Sequence, residues 1–227
     1  HLGGTQDGQH LTVNAAGSVG VGKTGPSFQL AVSSIVNTGS INGYYQNGTA
    51  VLNSSSTITF VGVNAGKLNT APWNTFVGVN AGPANTAGGS GTFIGYQAGI
   101  NNTVGDRNTF IGKDAGLSNT DGSYNTILGH QSGYYNTTGD NNTFLGYGAG
   151  TGNGATADNN TSVGHLAGGN NTSGDRNTSV GASAGLSNTV GQYNTFVGFS
   201  GGYYNSGGAR NAVLGYAANM YNQQGGS

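Results

Sequence analysis

A glycine-rich segment from Gly17 to Thr24 has the residue types and the spacing of a phosphate-binding loop. It matches the pattern G-x-x-x-x-G-K-T letter for letter. That motif holds phosphates only between a buried strand and a helix whose N-terminus faces them. Here Pro26 follows at once, with no helical periodicity after it. We therefore expect no nucleotide site and no cofactor.

Recurring Gly-Asp pairs are a second candidate site, because calcium-binding repeats place Asp in Gly-rich loops. Such pairs lie at Gly105-Asp106, Gly139-Asp140 and Gly174-Asp175. Calcium takes six or more oxygen ligands, whereas each of these loops offers one carboxylate at most. We expect these residues to stabilise turns rather than to bind an ion.

Histidines and carboxylates give little support for a metal site or for catalysis. His130 and His165 occupy equivalent places in two repeats, where other repeats carry Val, Tyr, Lys, Ala or Phe. A zinc site would need a symmetry axis to bring copies of one histidine together. The seven acidic residues show no nucleophile with a base and no opposed pair of carboxylates. We expect a protein without enzymatic activity.

Adjacent tyrosines are the more promising chemistry. The chain has Tyr44-Tyr45, Tyr134-Tyr135 and Tyr203-Tyr204, each beside Gly and Asn. Exposed aromatic faces next to amide groups are suited to sugars, so the pairs 134-135 and 203-204 are our candidate glycan-binding residues. The alternative is that these rings pack over the edge of a neighbouring coil.

Composition bounds the class of protein. Gly is 46 of 227 residues and only 6% are charged, yet 12 Tyr and 8 Phe recur at regular places, which favours an ordered chain. A net charge of −1 with six Lys and Arg gives no basic face for nucleic acid, and no apolar run approaches the ~20 residues of a membrane span. Without cysteine there are no disulfides or thiolate metal sites. Because the chain begins at His1 rather than Met, we expect a processed or excised piece.

A 17-residue repeat positions all of these residues. Ten copies align on the Gly of N-T-F-V-G, and their spacing never departs from this period by more than one position. These aligned glycines are Gly62, Gly78, Gly95, Gly112, Gly129, Gly146, Gly164, Gly181, Gly198 and Gly215. So constant a period predicts a solenoid, one coil per repeat.

Two further positions of the repeat predict its geometry. Four residues after the aligned glycine stands a second glycine, such as Gly116 and Gly133, replaced by Asn219 in the tenth copy, which predicts a left-handed corner. Seven residues after it stands Asn in all ten copies, for example Asn119 and Asn136, up to Asn222. Stacked coils would place these amides in a hydrogen-bonded ladder.

The strand N-T-F-[VIL]-G carries apolar residues on both faces, as Phe110 and Ile111 show. A thin coil can bury only one of these faces, so the other requires a partner chain. Ser162 and Ser179 replace the inward Phe in two successive copies. We expect a local change of packing there, the alternative being a wet or ion-holding section.

The repeats are also duplicated in blocks of four. The segments G-D-R-N-T, L-S-N-T and G-Y-Y-N at 105, 117 and 133 recur one block later, at 174, 186 and 202. The segment 1–56 does not fit the period. Alternating Val19 and Val21, and Phe28, Leu30 and Val32, predict short strands there with a break at 25–26.

The tandem N-T-F-[VIL]-G-x-x-A-G-x-x-N-T units, preceded by G-S-V-G-V-G-K-T-G-P-S-F-Q-L-A-V at 17–32, resemble a phage tail-fibre or bacterial tail-fibre-domain protein. The tandem part is also similar to the β-roll heads of trimeric autotransporter adhesins, whose repeats are shorter. The resemblance implies a homotrimeric fibre on a virion tail or a bacterial surface, outside the cell. Its implied partners are copies of itself and a host-surface glycan or protein receptor.

The sequence thus predicts an all-β chain, with a β-structured connecting region over 1–56 and a parallel β-solenoid, or β-roll, of about ten 17-residue coils over 57–227. We expect an intertwined or side-by-side homotrimer that serves as a structural and adhesive fibre segment. The alternative function is ice binding, because Thr stands three residues before the aligned glycine in nine of ten copies and could form a flat ladder. Its sharing of a strand face with an apolar residue points to a buried or subunit-facing position instead.

Overall fold

The computed structural model describes residues 57–218 in full and, before them, the backbone of four strands. All regular elements among the described residues are β-strands. The four early strands are β1 (His10–Val13), β2 (Val19–Gly22), β3 (Gly43–Gln46) and β4 (Thr49–Ser54). The later strands are β5 (Ile58–Val61), β6 (Asn74–Val77), β7 (Thr92–Ile94), β8 (Thr109–Ile111), β9 (Thr126–Leu128), β10 (Thr143–Leu145), β11 (Thr161–Val163), β12 (Thr178–Val180), β13 (Thr195–Val197) and β14 (Ala212–Leu214).

The chain divides into two compact units, His1–Ile35 and Val36–Ser227. In the first unit β1 pairs antiparallel with β2, which contains the alternating valines that predict a strand. The second strand expected in this unit, at 28–32, and the break at 25–26 lie outside the described residues.

In the second unit, one sheet of twelve strands runs in chain order from β3 to β14. The strands β5 to β14 are all parallel to their neighbours, one per repeat, and form about nine turns. The predicted parallel β-solenoid is therefore confirmed. At its start β4 pairs antiparallel with β5, and β3 pairs antiparallel with β4, so these two strands belong to the same sheet as the coils.

Each strand is shorter than its motif, three residues in most coils, and its middle residue points inward. Five of these inward side chains are phenylalanines that are fully or almost fully buried, namely Phe76, Phe93, Phe110, Phe144 and Phe196. Successive rings lie close together, with 5.1 Å between the ring centroids of Phe76 and Phe93. Because coils stack about 4.8 Å apart, these buried rings contact one another wherever successive coils carry phenylalanine, as from Phe76 to Phe110.

The rest of the interior is built from very small residues. A column, meaning equivalent residues of successive coils, of buried alanines such as Ala98 and Ala115 lies beside the phenylalanines. The predicted left-handed corner is confirmed at nine glycines, whose φ lies between +51° and +63°. At Gly133 a Cβ would lie 2.6 Å from Cδ1 of Ile127, so this corner needs glycine for its space as well as for its φ.

The apolar core is interrupted once. One cluster of buried apolar residues ends at Ala149, and a second begins at Ala184. Between them Ser162 and Ser179 occupy the inward strand position, and both are buried. The thinning expected from the sequence is therefore present, since two coils lack the large side chain that fills the others.

Two columns of buried asparagines line the other side of the interior. The predicted ladder is confirmed in the column of Asn119, whose Nδ2 donates to Oδ1 of Asn102 (2.7 Å) and to the carbonyl oxygen of Gly122 (3.0 Å). The expected rung at Asn222 lies outside the described residues. The second column, of the Asn that opens each motif, was not predicted as a ladder: Asn125 N–H donates to Oδ1 of Asn108 (2.9 Å). These amides pair backbone groups that the narrow coil turns inward, away from water.

Two more left-handed corners per coil are carried mainly by residues other than glycine. One lies just before the strand motif, at residues as large as Tyr124 and Arg107, and the other lies two residues after the aligned glycine, for example at Gln131. All three have φ between +53° and +59°. The sequence gives no cue to these corners because no glycine or common residue type marks them.

Candidate functional site

One regular surface of the coils is the outer strand face, which we define as the threonine column and the aliphatic column on either side of the inward residue. The two columns alternate with the buried core along each strand, as in Thr143–Leu145. The threonines are in register from coil to coil, and Thr126, Thr143 and Thr161 pair in succession. The face therefore presents two straight columns with one residue of each per coil.

The aliphatic column of this face is apolar, and the chain itself leaves it partly uncovered. Leu128 is 40% exposed and Leu145 is 42% exposed, and Val61 is also exposed, whereas Phe144 between the columns is 1% exposed. The expectation that a single coil buries only one face of its strand is confirmed. Every residue of the aliphatic column is at least partly exposed, and such an apolar surface marks an interaction site.

An aromatic column borders the outer strand face on one side. Rings stack in it along the solenoid axis: His130 and His165 lie on either side of Tyr147, each with 5.3 Å between ring centroids. Phe199 stacks on Tyr216 in the same column, at 5.2 Å. The histidines therefore contact a tyrosine ring in the neighbouring coil, and the described residues contain no group of three metal-ligating side chains close enough to share an ion.

A column in which arginine and tyrosine are neighbours at two places, which we call the cation–π column, borders the face on the other side. The Arg107 guanidinium lies 5.1 Å from the ring centroid of Tyr124 and donates a hydrogen bond to its hydroxyl. Tyr193 is contacted by two guanidiniums, those of Arg176 at 5.3 Å and of Arg210 at 5.8 Å. These are exposed cation–π pairs, each contributing roughly 0.5–1 kcal/mol.

The Gly-Asp pairs connect coils, which differs from the turn role that the sequence suggested. Oδ1 of Asp140 accepts the backbone N–H of Ser123 (2.7 Å), and Oδ1 of Asp175 accepts that of Asp158 (2.9 Å), in each case one coil earlier. Asp106 does the same for Gly89. The carboxylates satisfy donors of the preceding coil instead of those of their own loop.

The tyrosine platforms, defined as the pairs Tyr134-Tyr135 and Tyr203-Tyr204, have almost the same geometry. Their ring centroids are 4.7 and 4.5 Å apart, at interplanar angles of 69° and 67°. In each pair the first ring is half-buried and the second is exposed. In each pair the half-buried first ring contacts the second ring, which faces solvent.

The remaining predicted residues have structural positions. Gly112 and Gly129 follow the strand, with φ of +132° and +142°, where a side chain would strike the next coil. Gly116, Gly133, Asn119 and Asn136 form the corner and ladder described above. Of the third tyrosine pair, Tyr44-Tyr45, only the backbone is described, in β3. The described residues include no helix with the length and apolar character that crossing a membrane requires.

The cation–π column and the aromatic stack were missed by sequence reasoning. The sequence does contain a signal for the cation–π column, because Arg and Tyr stand one repeat apart at 107 and 124 and again at 176 and 193. Residues one repeat apart lie in contact on neighbouring coils. No family model, no curated protein and no solved structure matches this chain.

Proposed function

We propose that this chain is a structural and adhesive segment of a homotrimeric extracellular fibre, borne on a virion tail or a bacterial surface. The single observation that carries the proposal is the outer strand face, whose aliphatic column runs along every coil and is left at least partly exposed. The number three and the extracellular setting follow the resemblance of the repeats to tail-fibre and adhesin repeats.

The size of the face supports a stable contact between copies. Ten strands at about 4.8 Å per strand make it about 50 Å long, and the face together with the aromatic column that borders it is about 13 Å wide, four residues at about 3.3 Å. The area of the two together is then on the order of 650 Å² per copy, near the roughly 800 Å² that each partner buries in a stable interface.

The oligomer is tested by sedimentation of the purified chain. We expect a trimer mass, and we expect Leu128→Lys with Leu145→Lys to give monomers, because two desolvated ammonium groups per chain would lie in the interface. A matched control replaces Val104 and Val190 by Lys, since these are 48% and 52% exposed but lie outside the strands. A wild-type chain that sediments as a monomer would refute the oligomer.

The adhesive part of the proposal rests on the two tyrosine platforms. Their exposed rings offer apolar faces beside polar groups, the arrangement that sugars require. Replacing all four tyrosines, Tyr134, Tyr135, Tyr203 and Tyr204, by Ala should abolish attachment of the labelled fibre to bacterial cells. Attachment that survives in this variant would leave the fibre as a spacer only.

Ice binding is the second candidate, favoured by the register of the exposed threonine column. Thr126, Thr143 and Thr195 face solvent in a straight array. Purified protein that shows thermal hysteresis, lost on Thr126→Lys with Thr143→Lys, would favour ice binding over assembly. Absence of hysteresis in the wild-type chain would exclude it.

A further inference from the structure

The duplicated four-coil block keeps some of its residues and changes others. Six outward residues of the first copy recur unchanged one block later, and they are Arg107, Leu117, Ser118, Tyr124, Tyr134 and Tyr135. At the four places after the aligned glycines of the same coils every residue differs: Lys113 becomes Ala182, Asp114 becomes Ser183, His130 becomes Phe199 and Gln131 becomes Ser200. The chain therefore presents the platform and the serine before it twice, whereas Thr137 and Thr138 after the first platform become Ser206 and Gly207.

Each platform is built on the same support in the preceding coil. Ser118 donates its backbone N–H to the carbonyl oxygen of Tyr134 (3.0 Å), and Ser187 donates to that of Tyr203 (2.9 Å). A serine precedes each exposed ring in its column. Tyr135 is 57% exposed and Tyr204 is 38% exposed.

Between the two exposed rings the same column contains only small or polar side chains. The three intervening coils carry Gly152, Asn170 and Ser187 at the place of the exposed tyrosine, and Asn170 is itself exposed. None of these side chains is large enough to block the path along the axis. The column is thus an aromatic ring, a floor of small and polar residues, and a second aromatic ring, which lies four coils or about 19 Å further along.

From this arrangement we infer that the two platforms form one extended site for a linear polysaccharide lying parallel to the solenoid axis. The inference rests on the adhesive function proposed for the tyrosines and adds the class and the direction of the ligand. A β-linked chain of pyranoses with equatorial substituents presents flat C–H faces, which stack on the rings of Tyr135 and Tyr204. Its hydroxyl groups point sideways, where the Asn170 amide and the Ser187 hydroxyl can bond them.

A ligand long enough to span both rings gains affinity without any new type of contact, because its second contact is intramolecular. A short ligand can only occupy each platform separately. The number of ligands bound per chain therefore changes with ligand length, from two for a short sugar to one for a spanning sugar.

The test is calorimetric titration of the full chain with cello-oligosaccharides of two to six residues. We expect two sites per chain for the dimer, one for the hexamer, and at least a ten-fold gain in affinity between them. Tyr135→Ala and Tyr204→Ala should each return the hexamer to the affinity of the dimer, and the double variant should not bind. Tyr96→Ala is the matched control, since Tyr96 is 48% exposed but lies in the aromatic column.

Maltohexaose, which has the same composition but a curved chain, tests the direction of the ligand and should bind no better than the dimer. Equal affinity for the two hexamers, a stoichiometry that does not change with length, or no binding by the cello series would each overturn the inference. Sedimentation and cell attachment of the same preparation separate this result from the fibre proposal, because a trimer that attaches to cells without binding these sugars would refute the extended site alone.

Discussion

Replacing one rung of the asparagine ladder by aspartate should give a protein whose stability, relative to wild type, falls as the pH rises. Asn119 is fully buried, and its Nδ2 has two acceptors as partners, Oδ1 of Asn102 and the carbonyl oxygen of Gly122. Its own Oδ1 accepts a long hydrogen bond of 3.5 Å from Asn136. In Asn119→Asp an oxygen takes the place of the Nδ2 donor, and an ionised carboxylate would face two acceptors.

The magnitude follows from the change in pKa. An aspartate has a pKa of about 3.9 in the unfolded chain, and burial without donors raises the pKa of such a group by about 3 units or more. Below about pH 4 both states are protonated, and the acid can donate its proton to one of the two acceptors. As the pH rises above 4, only the unfolded state ionises, so the variant loses about 1.4 kcal/mol of stability per unit, up to about 4 kcal/mol near pH 7.

The assay is urea unfolding at pH 3.5 to 7.5, followed by circular dichroism and expressed as the difference from wild type at each pH. Asn119→Ala should lose about 2–4 kcal/mol at every pH, because it deletes the donor without adding a charge. Asn101→Asp is the control, since Asn101 is exposed and immediately precedes the ladder residue of its coil, so its carboxylate stays in water. A flat difference for Asn119→Asp between pH 4 and 7 would refute the ladder argument.

Three further predictions concern the coil itself. Gly129→Ala should lower the unfolding free energy by more than about 2 kcal/mol in the same assay, because its φ is +142° and a Cβ would overlap the carbonyl oxygen of Gly146. Gly207→Ala is the control and should change the unfolding free energy by no more than about 0.5 kcal/mol, because its Cβ would make only an ordinary contact with Val190. Ser162→Phe with Ser179→Phe should raise the unfolding free energy by about 2 kcal/mol per site, because the two rings would join the two apolar clusters. A smaller gain in unfolding free energy would mean that the coils around Ser162 and Ser179 pack too closely to hold a phenylalanine ring. Asp158→Ala should cost about 1 kcal/mol because Asp140 N–H loses its acceptor, while Asp158→Asn keeps one, and a large change in melting temperature on adding calcium would contradict this structural role.

Much of the fold could be predicted from residue spacing. A parallel ladder places each residue beside its equivalent in the next repeat, so a constant period determines which side chains stack, and the rungs from Asn102 to Asn119 follow directly from it. The recurring glycine at Gly116 and Gly133 predicts left-handed backbone there, because few other residues adopt positive φ at such a crowded corner. The duplicated block and both tyrosine pairs were likewise visible as recurring letters.

The details of each loop could not be predicted in the same way. The corners at Arg107 and Tyr124 have left-handed backbone on side chains that seldom adopt it, and stacking between coils holds them there. The sequence predicts that the Gly-Asp carboxylates bond donors of their own loops, but the N–H groups that they bond belong to the preceding coil. The distance from each carboxylate to those N–H groups depends on how the coils stack. The hydrogen bonds of the second asparagine column could not be predicted from the sequence for the same reason.

The period and the asparagine ladder follow from residue spacing alone, because in a solenoid the spacing along the chain also sets which residues are in contact. Which face of the strand is buried, and which surfaces stay open, depends on the folded coil. The same strand motif buries Phe144 and exposes Leu145, and each tyrosine platform half-buries one ring and presents the other, because the width of the coil limits what its interior can hold. That limit leaves an apolar face and two aromatic platforms on the outside, and the proposed functions depend on these surfaces.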